Sequence, residues 1–124
     1  MGRTRRQRLG DDAEALARQH LHRAGLDCLA TNYRCRLGEI DLVMRAPDVL
    51  VIAEVRCRGP GSRLTALDSI SPTKQRRIVL ATEQFLCRHP QHAALPIRFD
   101  VVGIDVGADG DARLQWLKDA FRPA

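Results

Sequence analysis

The chain has 124 residues, enough for one domain with a hydrophobic core and too few for two. Apolar residues make up 44% and charged residues 28%, which excludes a disordered chain, and no apolar run approaches the roughly 20 residues that cross a bilayer. Lysine and arginine exceed aspartate and glutamate by 20 to 15, and this net charge of +5 favours a polyanionic partner.

The N-terminal segment, residues 1–9, is expected to be a basic tail, either loose in solvent or in contact with a polyanion. It has no hydrophobic stretch behind it and does not read as a secretory signal, so we expect a cytoplasmic protein. A first helix is predicted from Asp11 to Gly25, with Asp11 as cap and Glu14 completing a capping box. Its predicted apolar stripe consists of Leu16, Ala17, Leu21 and Ala24.

Three strands are predicted next, over residues 27–35, 39–46 and 49–57. The last two form a hairpin around Pro47 and Asp48, which are both favourable turn residues. Four cysteines lie far apart without a Cys-x-x-Cys pair, so reduced thiols are favoured over a zinc site.

Residues 58–70 are predicted to form a mobile loop because they are rich in glycine and proline. Ser71 then caps a second helix that begins at Pro72. Two more elements follow, an apolar central strand and a short strand or helical turn, at residues 97–105 and 112–121. The order α-β-β-β-α-β with a short tail predicts a single α/β domain, residues 1–124, with a mixed sheet flanked by helices.

The hairpin carries acids where a strand normally has core residues. If it closes symmetrically, Asp41 lies across from Glu54 and Glu39 across from Arg56. Two facing carboxylates repel, and a divalent cation such as Mg²⁺ or Mn²⁺ would offset the repulsion. The alternatives are carboxylates that reach solvent or that pair with arginines. On the opposite face of the first hairpin strand, alternation places Ile40, Leu42 and Met44.

A second basic cluster opens the second helix, with Lys74, Arg76 and Arg77 in its first turns. Free backbone N–H groups at this helix end would add to a phosphate-binding surface, and Arg58 is a further nucleic-acid candidate. The alternative is a solvated helix face. With one Trp, one Tyr and three Phe, base stacking is disfavoured relative to contacts with the nucleic-acid backbone.

Taken together, these motifs resemble the YraN family of small bacterial proteins, whose fold is similar to that of Holliday-junction resolvases and other restriction-endonuclease-like, PD-(D/E)xK enzymes. The match spans nearly the whole chain. Its motifs are GDDAE at 10–14 with Ala13 in place of a family glycine, Asn32 and Arg34 before GEID at 38–41, Glu54, Lys74 with RRI, Ala81, and RFDVV at 98–102.

The resemblance implies a restriction-endonuclease-like αβββαβ core that hydrolyses phosphodiester bonds of branched or structured DNA with Mg²⁺ or Mn²⁺. It implies that Asp41 and Glu54 bind the metal. Glu14 would be a catalytic acid from the first helix, with the capping role as its alternative, and Glu39 belongs to the same motif. By analogy with junction resolvases, a homodimer is expected.

Arg56 departs from the family, which has lysine at this position. A guanidinium keeps the charge and clamps phosphate bidentately, but it does not lose a proton in proteins. Arg56 could therefore stabilise charge during catalysis without acid–base work, and Lys74 is a candidate to act from another direction. Three hypotheses follow: a DNA-hydrolysing enzyme, a nuclease-fold module that binds nucleic acid with weak or no cleavage, and a basic protein-interaction adaptor.

Overall fold

The computed structural model describes the backbone of residues 5–59 and 67–123, and the side chains of these residues from Asp11 onward. The elements in these ranges are α1 (Arg5–Arg23), β1 (Asp27–Cys35), β2 (Gly38–Ala46), β3 (Val49–Arg58), α2 (Pro72–Arg88), a 3-10 turn (Pro90–His92), β4 (Ile97–Val106) and β5 (Ala112–Phe121). No helix in this part of the chain is long and apolar enough to cross a membrane.

The strands form one mixed sheet in the order β1-β2-β3-β4-β5. All neighbours are antiparallel except β3 and β4, which are parallel and are therefore joined by a crossover that contains α2. The predicted α/β class and element order are confirmed. The final segment is a strand, and β4 lies inside the sheet as its apolar sequence predicted.

The two helices cover opposite faces of the sheet. Ala17 and Leu21 of α1 pack against one face, in a cluster with Leu42 and Val102. On the other face α2 contributes Ile78, Ala81 and Phe85, which pack with Val43, Ile52 and Val101. Each fully buried Leu, Ile or Phe contributes about 1.5–3 kcal/mol, so both interfaces hold the sheet between the helices.

The predicted start of α1 is wrong, because the helix begins at Arg5 and not at Asp11. Arginine, glutamine and leucine favour helix, so the segment before Gly10 extends it upstream. Residues 1–4 of the expected tail, and residues 60–66 of the expected mobile loop, lie outside the described residues.

The predicted apolar stripe of α1 is partly wrong. Because the helix begins at Arg5, Asp11 lies inside it, and Leu16, predicted to be in the core, is 45% exposed. Ala24, also assigned to the stripe, is exposed, while Ala13 is buried in register with Ala17 and Leu21.

The predicted start of α2 is confirmed. The N–H of Lys74 donates to Ser71 Oγ at 3.2 Å, and Pro72 opens the first turn. Gly38 lies directly against this helix, since a Cβ there would lie 2.3 Å from the Arg77 carbonyl oxygen. The start of β2 can approach α2 this closely only because residue 38 has no side chain.

The hairpin register is as predicted from Leu42 opposite Ala53 to the turn, and the backbone pairing stops at that residue pair. The predicted alternation is wrong at Ile40, which packs with Val43 on the α2 side of the sheet. The reason lies at Asp41, whose N–H bonds to the Glu54 side chain and not to the β3 backbone. The start of β2 keeps its regular pairing with β1, in which Tyr33 lies opposite Ile40 and Cys35 opposite Gly38.

Candidate metal and nucleic-acid site

Asp41 and Glu54 converge where β2 and β3 separate. The N–H of Asp41 donates to Glu54 Oε2 at 3.0 Å, and the N–H of Val55 donates to Asp41 Oδ2 at 2.8 Å. Each carboxylate thus accepts a hydrogen bond from the backbone of the opposite strand. The two acids meet at one place, one step beyond the last backbone pair, as the hairpin register predicted.

Burial makes this pair electrostatically costly. Glu54 is 1% exposed, and burial followed by the charge of Asp41 raises its pKa to about 8. Burial also raises the pKa of Asp41, to which the charge of Glu39 adds. The hydrogen bonds from the opposite strand and the charges of Arg56 and Lys74 act the other way, without cancelling the effect of burial. Without a bound cation, the site therefore favours a proton on Glu54 at neutral pH over two ionised carboxylates.

Three buried polar atoms at this site have no hydrogen-bond partner within the described residues. They are Glu54 Oε1, Arg56 Nε and Arg56 Nη2. Arg56 Nη2 lies 3.9 Å from Glu54 Oε1, which is an ion-pair contact too long for a hydrogen bond. Since buried polar groups normally have partners, the site presents one acceptor and two donors to a bound ion, water or phosphate.

The donor set fits a hard divalent cation. Mg²⁺ takes oxygen ligands, uses one or two carboxylates, and completes its coordination with water and phosphate oxygens. Asp41 and Glu54 would be those carboxylates. In the part of the chain that the structure describes, no third His, Cys, Asp or Glu side chain joins them in a group that could hold an ion.

Glu14 approaches the acid pair from α1 without joining it. Its Oε1 accepts a hydrogen bond from Asn32 Nδ2 at 2.8 Å, so Asn32 is a partner that sequence reasoning did not assign. Burial raises the pKa of Glu14, and the nearby charge of Asp41 raises it further. The sequence signal that could have singled out Asn32 is its place inside a predicted strand, since asparagine is depleted in strands.

Glu39 lies at the surface and pairs with Arg34, whose Nε is 3.4 Å from Glu39 Oε2. The Arg34 side chain is 76% exposed and that of Glu39 is 54% exposed, so the pair contributes little stability. The predicted position of Glu39 across from Arg56 falls beyond the last backbone pair of the hairpin.

A cavity of about 510 Å³ lies between the β1–β2 connection and the start of α2. Its lining includes the basic side chains Arg34, Lys74 and Arg77 together with the acid Glu39, which pairs with Arg34. Lys74 lines this cavity, and its charge also opposes the burial-driven rise in the pKa of Asp41 and Glu54. A larger cleft of about 700 Å³ along α1 contains none of the predicted site residues.

The other two basic candidates lie apart from this cavity. Arg76 is exposed on α2 and does not line it. Arg58 ends β3, and its guanidinium donates to both oxygens of Asp105 at 2.8 and 3.0 Å. Its charge is therefore largely neutralised by that carboxylate.

A second buried acid, Asp100 of β4, lies outside the candidate site and was not singled out from the sequence. It is fully buried and accepts hydrogen bonds from Arg98 Nε and Nη2 (2.9 Å each), Trp116 Nε1 (2.8 Å) and the N–H of Asp119 (2.9 Å). The sequence signal that could have singled out Asp100 is that Arg98 and Asp100, two residues apart, lie on one face of an otherwise apolar strand. The network joins β4 to β5.

Comparison with known proteins gives consistent matches. A model of the family described as "Uncharacterised protein family UPF0102" matches residues 13–104, a range that includes every predicted site residue. A UPF0102 protein of Nitrosococcus oceani is 47% identical over 115 residues, which cover 91% of this chain and 90% of that protein. One of Pseudomonas fluorescens is 44% identical over 115 residues, covering 93% and 94%. One of Methylobacillus flagellatus is 45% identical over 114 residues, covering 91% and 96%. The family resemblance drawn from the motifs is confirmed, and the chain belongs to the UPF0102 family.

Proposed function

We propose that this protein binds DNA and hydrolyses its phosphodiester bonds with Mg²⁺ or Mn²⁺ held by Asp41 and Glu54. The observation that carries the proposal is Glu54, which is buried, has one oxygen without a hydrogen bond in the described structure, and has a pKa raised to about 8. A divalent cation would keep both carboxylates ionised and would occupy the free oxygen.

A bound Mg²⁺ would polarise a phosphoryl oxygen and lower the pKa of a water ligand, which supplies the nucleophile. The side chains around the acid pair have complementary roles. Arg56 has two guanidinium nitrogens, Nε and Nη2, without hydrogen bonds in the described structure, and these could hold the phosphate as negative charge develops on it. Lys74 brings a second cation toward the same place from α2 and could hold an adjacent phosphate.

The cavity beside the acids supports nucleic acid as the substrate. Lys74 and Arg77 give it positive charge beyond the Arg34–Glu39 pair, and its opening at the start of α2 favours an anion. This arrangement contacts the sugar-phosphate backbone and not base edges, so recognition of branched or structured DNA by shape is the form of specificity we propose. A cytoplasmic location follows from that substrate, and a homodimer remains a prediction.

The test is cleavage of branched and linear DNA with and without Mg²⁺ or Mn²⁺, using the variants Asp41→Asn and Glu54→Gln. These changes keep the size of each side chain and remove its charge. We expect metal-dependent products from the wild type and at least about a hundredfold lower rate in either variant. Glu83→Gln, at an exposed position of α2, is the matched control and should cleave at the wild-type rate. Products that persist in Asp41→Asn would exclude this site as the catalytic centre.

A second candidate function is a binding module with weak or no cleavage, and Arg56 is the observation in its favour. Its guanidinium is placed to bind an anion, but it cannot exchange a proton at neutral pH. Salt-sensitive DNA binding without products would support this candidate. Absence of DNA binding at low salt would leave the protein-interaction adaptor.

The variant Arg56→Lys separates the enzyme from the module. A lysine restores the family residue and can orient water and exchange a proton, so we expect the rate of DNA cleavage to rise. Arg58→Lys is the control, because it makes the same exchange in the same strand at a position paired with Asp105. An unchanged or lower rate in Arg56→Lys would mean that the arginine does not limit activity.

A further inference from the structure

Asn32 has an unusual backbone conformation. Its φ is 50°, in the left-handed region, and it is one of two non-glycine residues with positive φ in the described ranges. Asparagine enters this region more readily than most residues but still at a cost. Its side chain is exposed and buries little surface, so packing does not offset that cost. Backbone strain of this kind is often found where a functional site fixes a side chain.

The left-handed residue Asn32 lies beside the acid pair. Tyr33 pairs with Ile40 and Thr31 with Leu42, so Asn32 stands opposite Asp41 in the β1–β2 register. At the same level β2 departs from regular alternation, since Ile40 and Val43 pack on the same side. The two neighbouring strands are therefore both irregular at the point where the acids meet.

Asn32 makes one side-chain hydrogen bond in the described structure, and the acceptor belongs to α1. Asn32 Nδ2 donates to Glu14 Oε1 at 2.8 Å. A glutamate on a helix surface would otherwise sample several rotamers in solvent, whereas this one is turned toward the sheet. Because Asn32 stands opposite Asp41 in the register, this hydrogen bond holds the Glu14 carboxylate at the level of Asp41.

We propose that Asn32 is a positioning residue that holds the Glu14 carboxylate facing Asp41, as an outer carboxylate of the metal site. The inference rests on the proposed function. Glu14 is not part of a three-carboxylate group, so it would act on a water ligand of the ion and not on the ion itself. Such outer carboxylates raise metal affinity by orienting the water ligands and adding negative potential.

The variant Asn32→Gly tests this directly, because glycine keeps the left-handed backbone and removes only the amide. Mn²⁺ binding to the full chain without DNA is measured by isothermal titration calorimetry, with circular dichroism to check the fold. We expect a Kd about tenfold weaker in Asn32→Gly and in Glu14→Gln. The double variant should be no weaker than Glu14→Gln alone, because Asn32 acts through Glu14. Thr31→Gly, an exposed neighbour in the same strand, is the control and should bind like the wild type.

The outcomes that overturn the inference differ from those that overturn the proposed function. Wild-type affinity in Asn32→Gly, or independent and additive losses in the double variant, would remove the positioning role and leave the site of Asp41 and Glu54 standing. Absence of Mn²⁺ binding by the wild type would remove the metal site and this inference with it. A loss in Asn32→Gly that is absent from the Glu14→Gln background would support the proposal, since a merely structural residue would weaken both backgrounds.

Discussion

Glu54 is held between two strands, with one carboxylate oxygen bonded to the N–H of Asp41 and the other without a hydrogen bond in the described structure. In the unfolded chain its pKa returns to the ordinary value of 4.5, whereas in the folded protein it is about 8. The folded state therefore binds a proton more tightly than the unfolded state. The stabilising effect of that proton is complete below about pH 4.5 and is lost as the pH rises through about 8.

We predict that the free energy of unfolding falls between pH 4.5 and 8. Allowing for relaxation of the site, the fall should be roughly 3 kcal/mol. Glu54→Gln cannot ionise and keeps an acceptor for the N–H of Asp41, so it should show a flatter pH profile and higher stability at pH 8. Urea unfolding across this range measures both effects, and equal profiles for variant and wild type would contradict the prediction.

The same residue links stability to metal. A cation at the site would keep Glu54 ionised, so Mg²⁺ should restore the stability that is lost at high pH. At about a hundredfold excess over Kd, one bound ion adds about 2.7 kcal/mol. The increase should be absent after chelation with EDTA and in Glu54→Gln, and an equal increase in the variant would place the ion elsewhere.

At the scale of the element, β5 is attached to the sheet by side chains as well as by its ladder. The β4–β5 register is irregular between Phe99 and Val101, and Asp100 lies at that break. Its carboxylate accepts bonds from the Trp116 indole and from the N–H of Asp119, both in β5. The acid therefore replaces backbone contacts that the irregular register removes.

We predict that Asp100→Asn destabilises the protein by about 3 kcal/mol, because it leaves Arg98 without its counter-charge and presents an amide to groups that donate. Asp105→Asn is the matched control, since Asp105 also lies in β4 and binds an arginine with both oxygens but is 47% exposed. It should cost about 1 kcal/mol or less. Faster hydrogen exchange confined to β5 in Asp100→Asn would locate the effect, and equal losses in the two variants would contradict it.

The strands and α2 could be predicted because their signals are local. Alternation and turn residues defined the hairpin, and Ser71 with Pro72 defined the start of α2. The start of α1 could not be read from the cap at Asp11, because a cap signal does not prevent helix-forming residues upstream from extending the helix. In the site, register brought Asp41 and Glu54 together, whereas the bond of Asn32 to Glu14 depends on a left-handed backbone and on packing of α1 that no local pattern encodes.

At the scale of the whole molecule, the net charge of +5 surrounds a site that is itself acidic. Positive side chains around the cavity would attract the phosphate backbone from a distance, and the acids would act only after contact. Binding by such a surface releases counterions from DNA, so its affinity should depend steeply on salt.

We predict that Arg77→Ala weakens DNA binding for all sequences and lowers the slope of log K against log salt by about 1. Arg77 lines the cavity, whereas Arg122 follows β5 on the opposite edge of the sheet and is paired with Asp119. Arg122→Ala should leave the slope unchanged. Fluorescence anisotropy at several salt concentrations measures both variants, and equal slopes would contradict this assignment of the binding surface.

Gly38 has a consequence for how the molecule meets its ligand. Because the start of β2 lies directly against the backbone of Arg77, the strand that carries Asp41 and the basic start of α2 are packed together without an intervening side chain at residue 38. Such preorganisation spares a complex the entropic cost of ordering the protein after encounter. A single methyl group at residue 38 would push β2 away from α2. This glycine therefore constrains the distance between the metal-binding acids and the phosphate-binding side chains that we propose, although it contributes no functional group itself.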